Sequence, residues 1–501
     1  MPSGLLEGAS AVFSIEVLLL VTFGVLVGIL FGASPGLTTS MGIALMLPIT
    51  FGLPLVEGMA LLLGLYIGGV SGGLITAILL NIPGTPASIA TTFDGYPLAR
   101  SGQPGKALGT GILFSFIGGI VSLIILVTVS PYLAKIAIKF GPVEYFAVSL
   151  FSLTLIAGLS GDSLRKGAVS ALLGVLVTTV GAAPIDGVLR FTFGNHQLDG
   201  GLQLLPVLIG IYAITEVLKT AELKPDKLAE VVVGKLRGFG LSMKEFGSQT
   251  WNALRSSLIG TAIGVLPGLG AGVANIIAYS AARKQSKQPE KFGKGSLEGL
   301  VASESSNNAV SGGAMIPLLT MGIPGDAGTA ILLAGLMIQG ITPGPLMFST
   351  SADIIYGIFI ILLIANVVMI VMEFFGLRVF LKLLKIPKHI LLPIIVVICT
   401  IGAFSTNNRM FDVWTILFFA AIGYALYKFK YPSAPFILGF ILGPLLETNL
   451  RRGMMYTSGD FLPFLTRPAS GLFMLLTVVS VAVIVWGKYK KRRQAPANRA
   501  G

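Results

Sequence analysis

The chain has 501 residues, 54% hydrophobic and only 11% charged, with a mean hydropathy of +0.86, which leaves far too little polar surface for a soluble globule of this size. The net charge of +13 comes from Lys and Arg scattered through loops and the terminal tail, so it excludes a nucleic-acid surface and serves to orient loops about a membrane. The single Cys399 excludes an intramolecular disulfide and a cysteine metal cluster, and MPSGLLEGAS carries no basic segment ahead of the first apolar run, which is therefore expected to stay as a span.

Apolar runs fall near 11–33, 59–80, 107–130, 143–160, 167–183 and 202–218, and recur near 254–282, 328–341, 354–377, 390–404, 412–427 and 434–446, with a last run at 470–487. They predict an all-α polytopic membrane protein of about 10 to 13 spans, the shorter runs being tilted, half-length or re-entrant. The 64 glycines fit close helix packing and broken helices.

Residues 24–37, GVLVGILFGASPGL, carry a Gly-x-x-x-Gly-x-x-x-Gly face and then a break at Pro35-Gly36. The pattern returns at 260–269 as GTAIGVLPGL. Each copy resumes a helix, from Thr38 and from Gly270, whose first-turn N–H groups are free to hold an anion; this makes Ser34, Gly36, Thr38, Thr39, Gly268 and Gly270 candidate substrate contacts. Further along, residues 57–88 and 298–329 share EG, then Val-Ser-Gly-Gly (70–73 and 310–313), then Ile-Pro-Gly (82–84 and 323–325) at nearly the same spacing, so the chain is internally duplicated.

The predicted organisation is a first transmembrane repeat over 1–218, a polar linker over 219–249, a second repeat over 250–450, and a C-terminal helix with a basic tail over 451–501. The loop PITFGLPLVEG in the first copy carries only Glu57, whereas its counterpart ARKQSKQPEKFGKGSLEG is basic, the pattern of repeats inserted with opposite orientation. Against inversion, Lys135 and Lys139 and the corresponding Arg378, Lys382, Lys385 and Lys388 are basic in both copies. IAGLSGDSLRKG at 156–167 against TIGAFSTNNRMFD at 400–412 extends the match, as do Glu216 and Glu447, which suggest structural pairing. The tail KYKKRRQ places the C-terminus in the cytoplasm.

Three enzyme readings are weak. Gly69-Val70-Ser71-Gly72 fits the motif of intramembrane serine proteases, but the partner histidine would have to be His196 or His389, both beside polar or proline-containing segment ends. Gly325-Asp326 lacks the second Asp of an aspartyl protease, and GQPGKA at 102–107 lacks the first glycine and the Ser or Thr of a nucleotide-binding loop. What remains is duplicated broken helices with polar tips, the mark of secondary transporters, with a passive channel as the main rival and an intramembrane hydrolase as a remoter one.

The tips are Asn81 to Ser88 and Gly322 to Thr329; proline removes a donor and glycine frees the turn, leaving carbonyls for a cation and N–H groups for a carboxylate. Asn81, Gly84, Thr85, Ser88, Gly325 and Thr329 are therefore candidate substrate contacts, with Ser71, Ser306, Asn307 and Ser311 from the helices ahead of them. The six consecutive polar residues Ser303 to Asn308 either line a cavity or form a loop, because a helix exposed to lipid could not hide them all. Asp326, Ser303, Glu304 and Asn308 are the candidate ligands of a coupling Na⁺ or H⁺, the alternative for Asp326 being an acidic first turn held by the helix dipole. No other cofactor is expected.

The chain closely resembles the large membrane subunit of the tripartite tricarboxylate transporter family in GILFGASPGLTTSMGIALMLPITFGL at 28–53, in GGVSGGLITAILLNIPGTPASIATTFDGYPLARSGQPGKALG at 68–109, and in the second-copy GVLPGLGAG, SESSNNAVSGG and MGIPGDAGTAILLAG. The resemblance covers nearly the whole chain. It implies cation-coupled uptake of a carboxylate across the bacterial inner membrane, together with a small four-span membrane subunit and a periplasmic solute-binding protein that delivers the substrate.

Overall fold

In the computed structural model, which describes residues 8, 10–159, 163–222, 239–383 and 388–494, the described chain is helical apart from one short antiparallel hairpin. The first half runs α1 (Ile15–Ala33), α2 (Thr39–Met46), α3 (Leu55–Leu80), α4 (Ile89–Arg100), α5 (Pro104–Ala137), α6 (Pro142–Leu159) and α7 (Leu164–Val177). The hairpin β1 (Gly181–Ala182) and β2 (Leu189–Arg190) follows, and then α8 (Leu204–Glu222). The second half runs α9 (Met243–Val265), α10 (Gly270–Gln285), α11 (Leu297–Met321), α12 (Ala327–Ile338), α13 (Ala352–Leu383), α14 (Lys388–Asn407), α15 (Met410–Lys428) and α16 (Ser433–Tyr456). A last helix, α17 (Pro468–Gln494), is almost wholly exposed along its apolar part, as a helix bathed in lipid would be.

Among the described residues eight helices are long and apolar enough to cross a membrane, and four shorter apolar helices accompany them. Together they match the expected mixture of full and half-length elements. The run at 254–282 is divided at Pro267-Gly268 into α9 and α10, where the Pro-Gly-Leu pattern placed a break. Of the expected linker, residues 223–238 lie outside the described residues, as do 160–162 of the IAGLSGDSLRKG match, Lys385, most of the first nine residues and the tail from 495.

The glycines of the first half act as a zipper between α1 and α3. A Cβ on Gly24, Gly28 or Gly32 would run into the carbonyls of Leu61, Leu65 and Gly69, and one on Gly64, Gly68 or Gly72 into those of Val21, Val25 and Ile29. Two backbones in such contact gain dispersion contacts that no larger side chain would permit. The second half repeats the device between α9 and α11, where Gly260 and Gly264 face the carbonyls of Ser306 and Val310, and Gly313 faces that of Thr261. Overpacking such a contact costs about 1–3 kcal/mol or more. Gly28→Ile is accordingly expected to lower the melting temperature of the detergent-solubilised chain, whereas Gly52→Ala, with open space around it, leaves it unchanged; equal melting curves for the two would discount the zipper.

Across the halves, the β1–β2 hairpin is pinned to α16. Arg190 donates to both carboxylate oxygens of Glu447 at 2.7 and 3.1 Å, and Arg451 bridges Glu447 and Asp186 at 3.0 and 2.9 Å. The Val188 amide and the Arg451 guanidinium hold the exposed Asp186 carboxyl below the usual carboxylate range. Glu216 pairs with Lys219 at 2.9 Å, so both glutamates at the ends of the halves are engaged in ion pairs.

Candidate functional site

Each half contains two helix breaks, and the four gather in one region. In the first half α1 ends at Ser34, whose hydroxyl donates to the Leu30 carbonyl at 2.7 Å; Gly36 adopts φ +88° and Thr38 caps α2 by accepting from the Met41 amide at 3.1 Å. Helix α3 ends at Asn81, a left-handed cap with φ +59°. The chain then folds back along α3: Gly84 lies against the Gly32 carbonyl and Thr76, and Gly73 leaves room for the Thr85 and Ser88 hydroxyls. The second Gly of Val-Ser-Gly-Gly is thus a seat for the returning connector, while the first packs on α1. The second half matches: α11 ends at a left-handed Gly322, Gly325 returns against Ala314, and its carbonyl accepts from the Gly268 amide at 2.7 Å, which ties the two breaks together.

The halves also complete each other. Asn275 on α10 donates its side-chain amide to the Ala87 carbonyl of the first-half connector, and Gly272 lies close to Pro86. In the other direction α2 packs on α12, and Tyr66 of α3 donates to Asp326 Oδ2 at 2.8 Å. Each half thus sets a helix against the other half's connector.

The two connectors differ in exposure. Asn81, Ile82 and Pro83 are exposed, whereas Gly322 to Gly325 are buried, Gly322 lying under the Pro343 carbonyl. Asp326 is half-buried and caps α12, accepting from the Thr329 amide at 2.7 Å and the Thr329 hydroxyl at 2.8 Å. Tyr212, on a π-helical turn (Ile209–Ile214) within α8, lies in electrostatic range of the same carboxylate, with its own buried hydroxyl unpartnered. Beside the first connector the buried Thr76 hydroxyl is also without a partner, and the Thr85 hydroxyl, which caps the turn at Pro86–Ser88 by accepting from the Ser88 amide, has its own proton free to donate. Unpartnered hydroxyls next to helix N-termini are what a carboxylate would engage.

The polar run 303–308 is neither a loop nor a cavity wall. It lies inside α11, fully buried, because α3, α4, α5, α9 and α10 pack around this helix and shield every face from lipid. The Ser303, Ser306 and Ser311 hydroxyls donate back to carbonyls of their own helix at 3.0, 2.8 and 2.6 Å, whereas the Ser305 hydroxyl and the amide oxygens of Asn307 and Asn308 are left without partners. Asn307 donates to the Val70 carbonyl of α3 at 3.2 Å, and Asn308 reaches Met369 Sδ at 3.4 Å. Glu304 accepts from Ser115 of α5 at 2.7 Å and from Thr91 of α4.

Of the residues singled out in the sequence, Ser34, Gly36, Thr38, Thr39, Asn81, Gly84, Thr85, Ser88, Gly268, Gly270, Gly325, Asp326 and Thr329 lie at the breaks, while Ser71, Ser303, Glu304, Ser306, Asn307, Asn308 and Ser311 belong to the interior polar layer. Tyr66 and Ser71 stand five residues apart on α3, which puts the two groups about 7.5 Å apart along the axis. Ser71 donates to Glu373 of α13 at 3.0 Å and has no histidine partner, so a protease-like dyad is not assembled. Sequence reading missed Tyr66, Thr76, Thr91, Ser115, Tyr212 and Glu373. For Glu373 the signal was present, since it is an ionisable residue within the apolar run 354–377.

A model of the Tripartite tricarboxylate transporter TctA family matches residues 18–438. Two proteins of Agrobacterium vitis are similar: one described as an uncharacterized 52.8 kDa protein in the TAR-I ttuC' 3' region is 37% identical over 470 residues, covering 94% of this chain and 93% of the relative. The other, an uncharacterized protein in the TAR-II ttuC' 3' region, is 37% identical over 234 residues, 47% of this chain and 97% of the relative. No solved structure matches. With the match running through both halves and all four breaks, the chain belongs to the tripartite tricarboxylate transporter TctA family and is a membrane component of that transport system.

Proposed function

We propose that this chain carries out secondary active, cation-coupled uptake of a carboxylate, a tricarboxylate, dicarboxylate or related organic acid, across the bacterial inner membrane. It works with a small four-span membrane subunit and receives its substrate from a periplasmic solute-binding protein, with its own C-terminus in the cytoplasm. The observation that carries the reading is the interlocking of the duplicated breaks: each half supplies a helix that seats the other half's connector, as in Asn275 with Ala87 and Tyr66 with Asp326. Membrane-depth breaks are tolerated only where protein or a polar ligand satisfies the freed backbone, and helix N-termini favour negative charge.

In this reading the substrate carboxylates engage the N-terminal turns of α2, α4, α10 and α12 with the hydroxyls of Thr76 and Thr85. The halves are inverted repeats, and the helices bearing the breaks move against a scaffold of α6, α7 and α14 to α17. The test is uptake of labelled carboxylates into proteoliposomes containing the three subunits, with Na⁺ and pH gradients imposed separately. Accumulation above the outside concentration, lost when the driving gradient is collapsed, is the expected result. Equilibration without accumulation would make the assembly a channel and overturn the proposal.

A further inference from the structure

Away from the breaks, two acids lie in one buried layer of the protein interior, linked through α3, where Asn307 beside Glu304 donates to the Val70 carbonyl and the next residue, Ser71, donates to Glu373. Glu304 of α11 and Glu373 of α13 are both 0% exposed, they lie within Coulombic range, and no Lys, Arg or His among the described residues pairs with either. Their partners differ. Glu304 has a hydroxyl on each oxygen, from Thr91 and Ser115, with Asn307 one turn on facing the same carboxylate. Glu373 has the Ser71 hydroxyl on Oε2 and nothing on Oε1.

The surroundings leave polar atoms unmatched. Besides Glu373 Oε1, the buried amide oxygens Asn307 Oδ1 and Asn308 Oδ1 lack a donor, and the buried Ser305 hydroxyl next to Glu304 is also without a partner. Of the other ionisable groups on the packed elements, Tyr66 of α3 pairs with Asp326, Asp94 of α4 with the backbone amides of Gly293, Gly295 and Ser296, and Lys106 of α5 with Glu245 of α9, while Glu57, Arg100, Lys135, Arg255, Arg283 and Lys284 are in ion pairs with neither acid. Two buried like charges within electrostatic reach of each other cannot both persist without a counter-charge, so such pairs share a proton or take up a cation. Gly111 of α5 lies next to the Glu304 side chain, so helices pack directly on this acid, and a proton adds no volume there.

We propose that Glu304 and Glu373 form a proton-carrying site, in which Glu373 takes up and releases the proton while Glu304, held by its two hydroxyls, stays as the fixed neighbouring charge. The step is simple protonation: a proton from water binds Glu373 Oε1 on one side of the cycle and is returned to water on the other. This deepens the cation-coupled reading above and rests on it for the transport consequence, though the protonation itself does not.

Two measurements test it. In infrared difference spectra of the purified full chain across a pH titration, the protonated-carboxyl band is expected to be absent from Glu373→Gln and retained in Asp326→Asn, with Ser71→Ala displacing its frequency and its pH midpoint. In proteoliposomes of the three subunits, a pH gradient alone is expected to drive uptake, Glu373→Gln to lose at least tenfold of that accumulation, and Glu373→Asp to recover part of it. A titrating carboxyl band unchanged in Glu373→Gln would overturn the site, as would Na⁺-driven uptake that ignores pH and survives in that variant. Absence of uptake by the wild type under either gradient would sink the transport reading alone, leaving the infrared result to decide the site.

Discussion

Asp326→Ala is expected to abolish uptake, at least a hundredfold, while the chain still inserts and can be purified. The substitution removes the cap of α12, worth about 1 kcal/mol, and strands the buried Tyr66 hydroxyl, worth about 1–3 kcal/mol. Neither cost unfolds a protein of this size, so the loss would be one of function. The carboxylate stands where an α3 residue of the first half meets the connector of the second, with Gly270 of α10 nearby, so it reports on the geometry of the pooled breaks. Asp326→Asn separates charge from shape: its one carbonyl oxygen still accepts from the Thr329 amide, while its NH₂ group meets the Tyr66 hydroxyl as a donor where an acceptor stood. Recovery of uptake in Asp326→Asn would make the residue a cap and hinge; collapse there as well would show that the negative charge itself is used. Wild-type uptake in Asp326→Ala would remove this region from the transport path.

Asn307→Ala is expected to reduce uptake more than tenfold, and Asn307→Asp to reduce it further. Asn307 bridges α11 and α3 through the Val70 carbonyl and faces Glu304 one turn away. Alanine removes that bridge from a fully buried layer, a loss of about 1–3 kcal/mol. Aspartate is nearly isosteric yet sets a third carboxylate beside Glu304 and Glu373, which the low local dielectric makes far more costly. Uptake of the two variants, measured at equal amounts of reconstituted protein, gives the order. Asn307→Asp at wild-type activity would mean that the layer is indifferent to charge, and the carboxylate pair would lose its assigned role.

Much of this architecture was legible in the residues themselves. Proline with glycine in an apolar stretch stops a helix for local reasons, so the breaks at Pro35, Pro83, Pro267 and Pro324 could be placed without knowing what surrounds them. The Gly-x-x-x-Gly faces likewise announced close packing, and the duplication named the pairs to compare. What could not be read was the company each helix keeps. The polar run 303–308 looked incompatible with a helix in lipid because local sequence does not say that five other helices enclose it. Glu304 and Thr91, 213 residues apart, meet only through the return of α4 behind the first connector, and Ser71 and Glu373 are separated by 302.

The exchange of helices between the halves bears on what each half can do by itself. One half alone leaves its connector unseated, with Ala87 lacking Asn275 and Asp326 lacking Tyr66. Neither half therefore completes its own fold, and the open connector at Asn81 and the covered one at Gly322 belong to one interlocked unit.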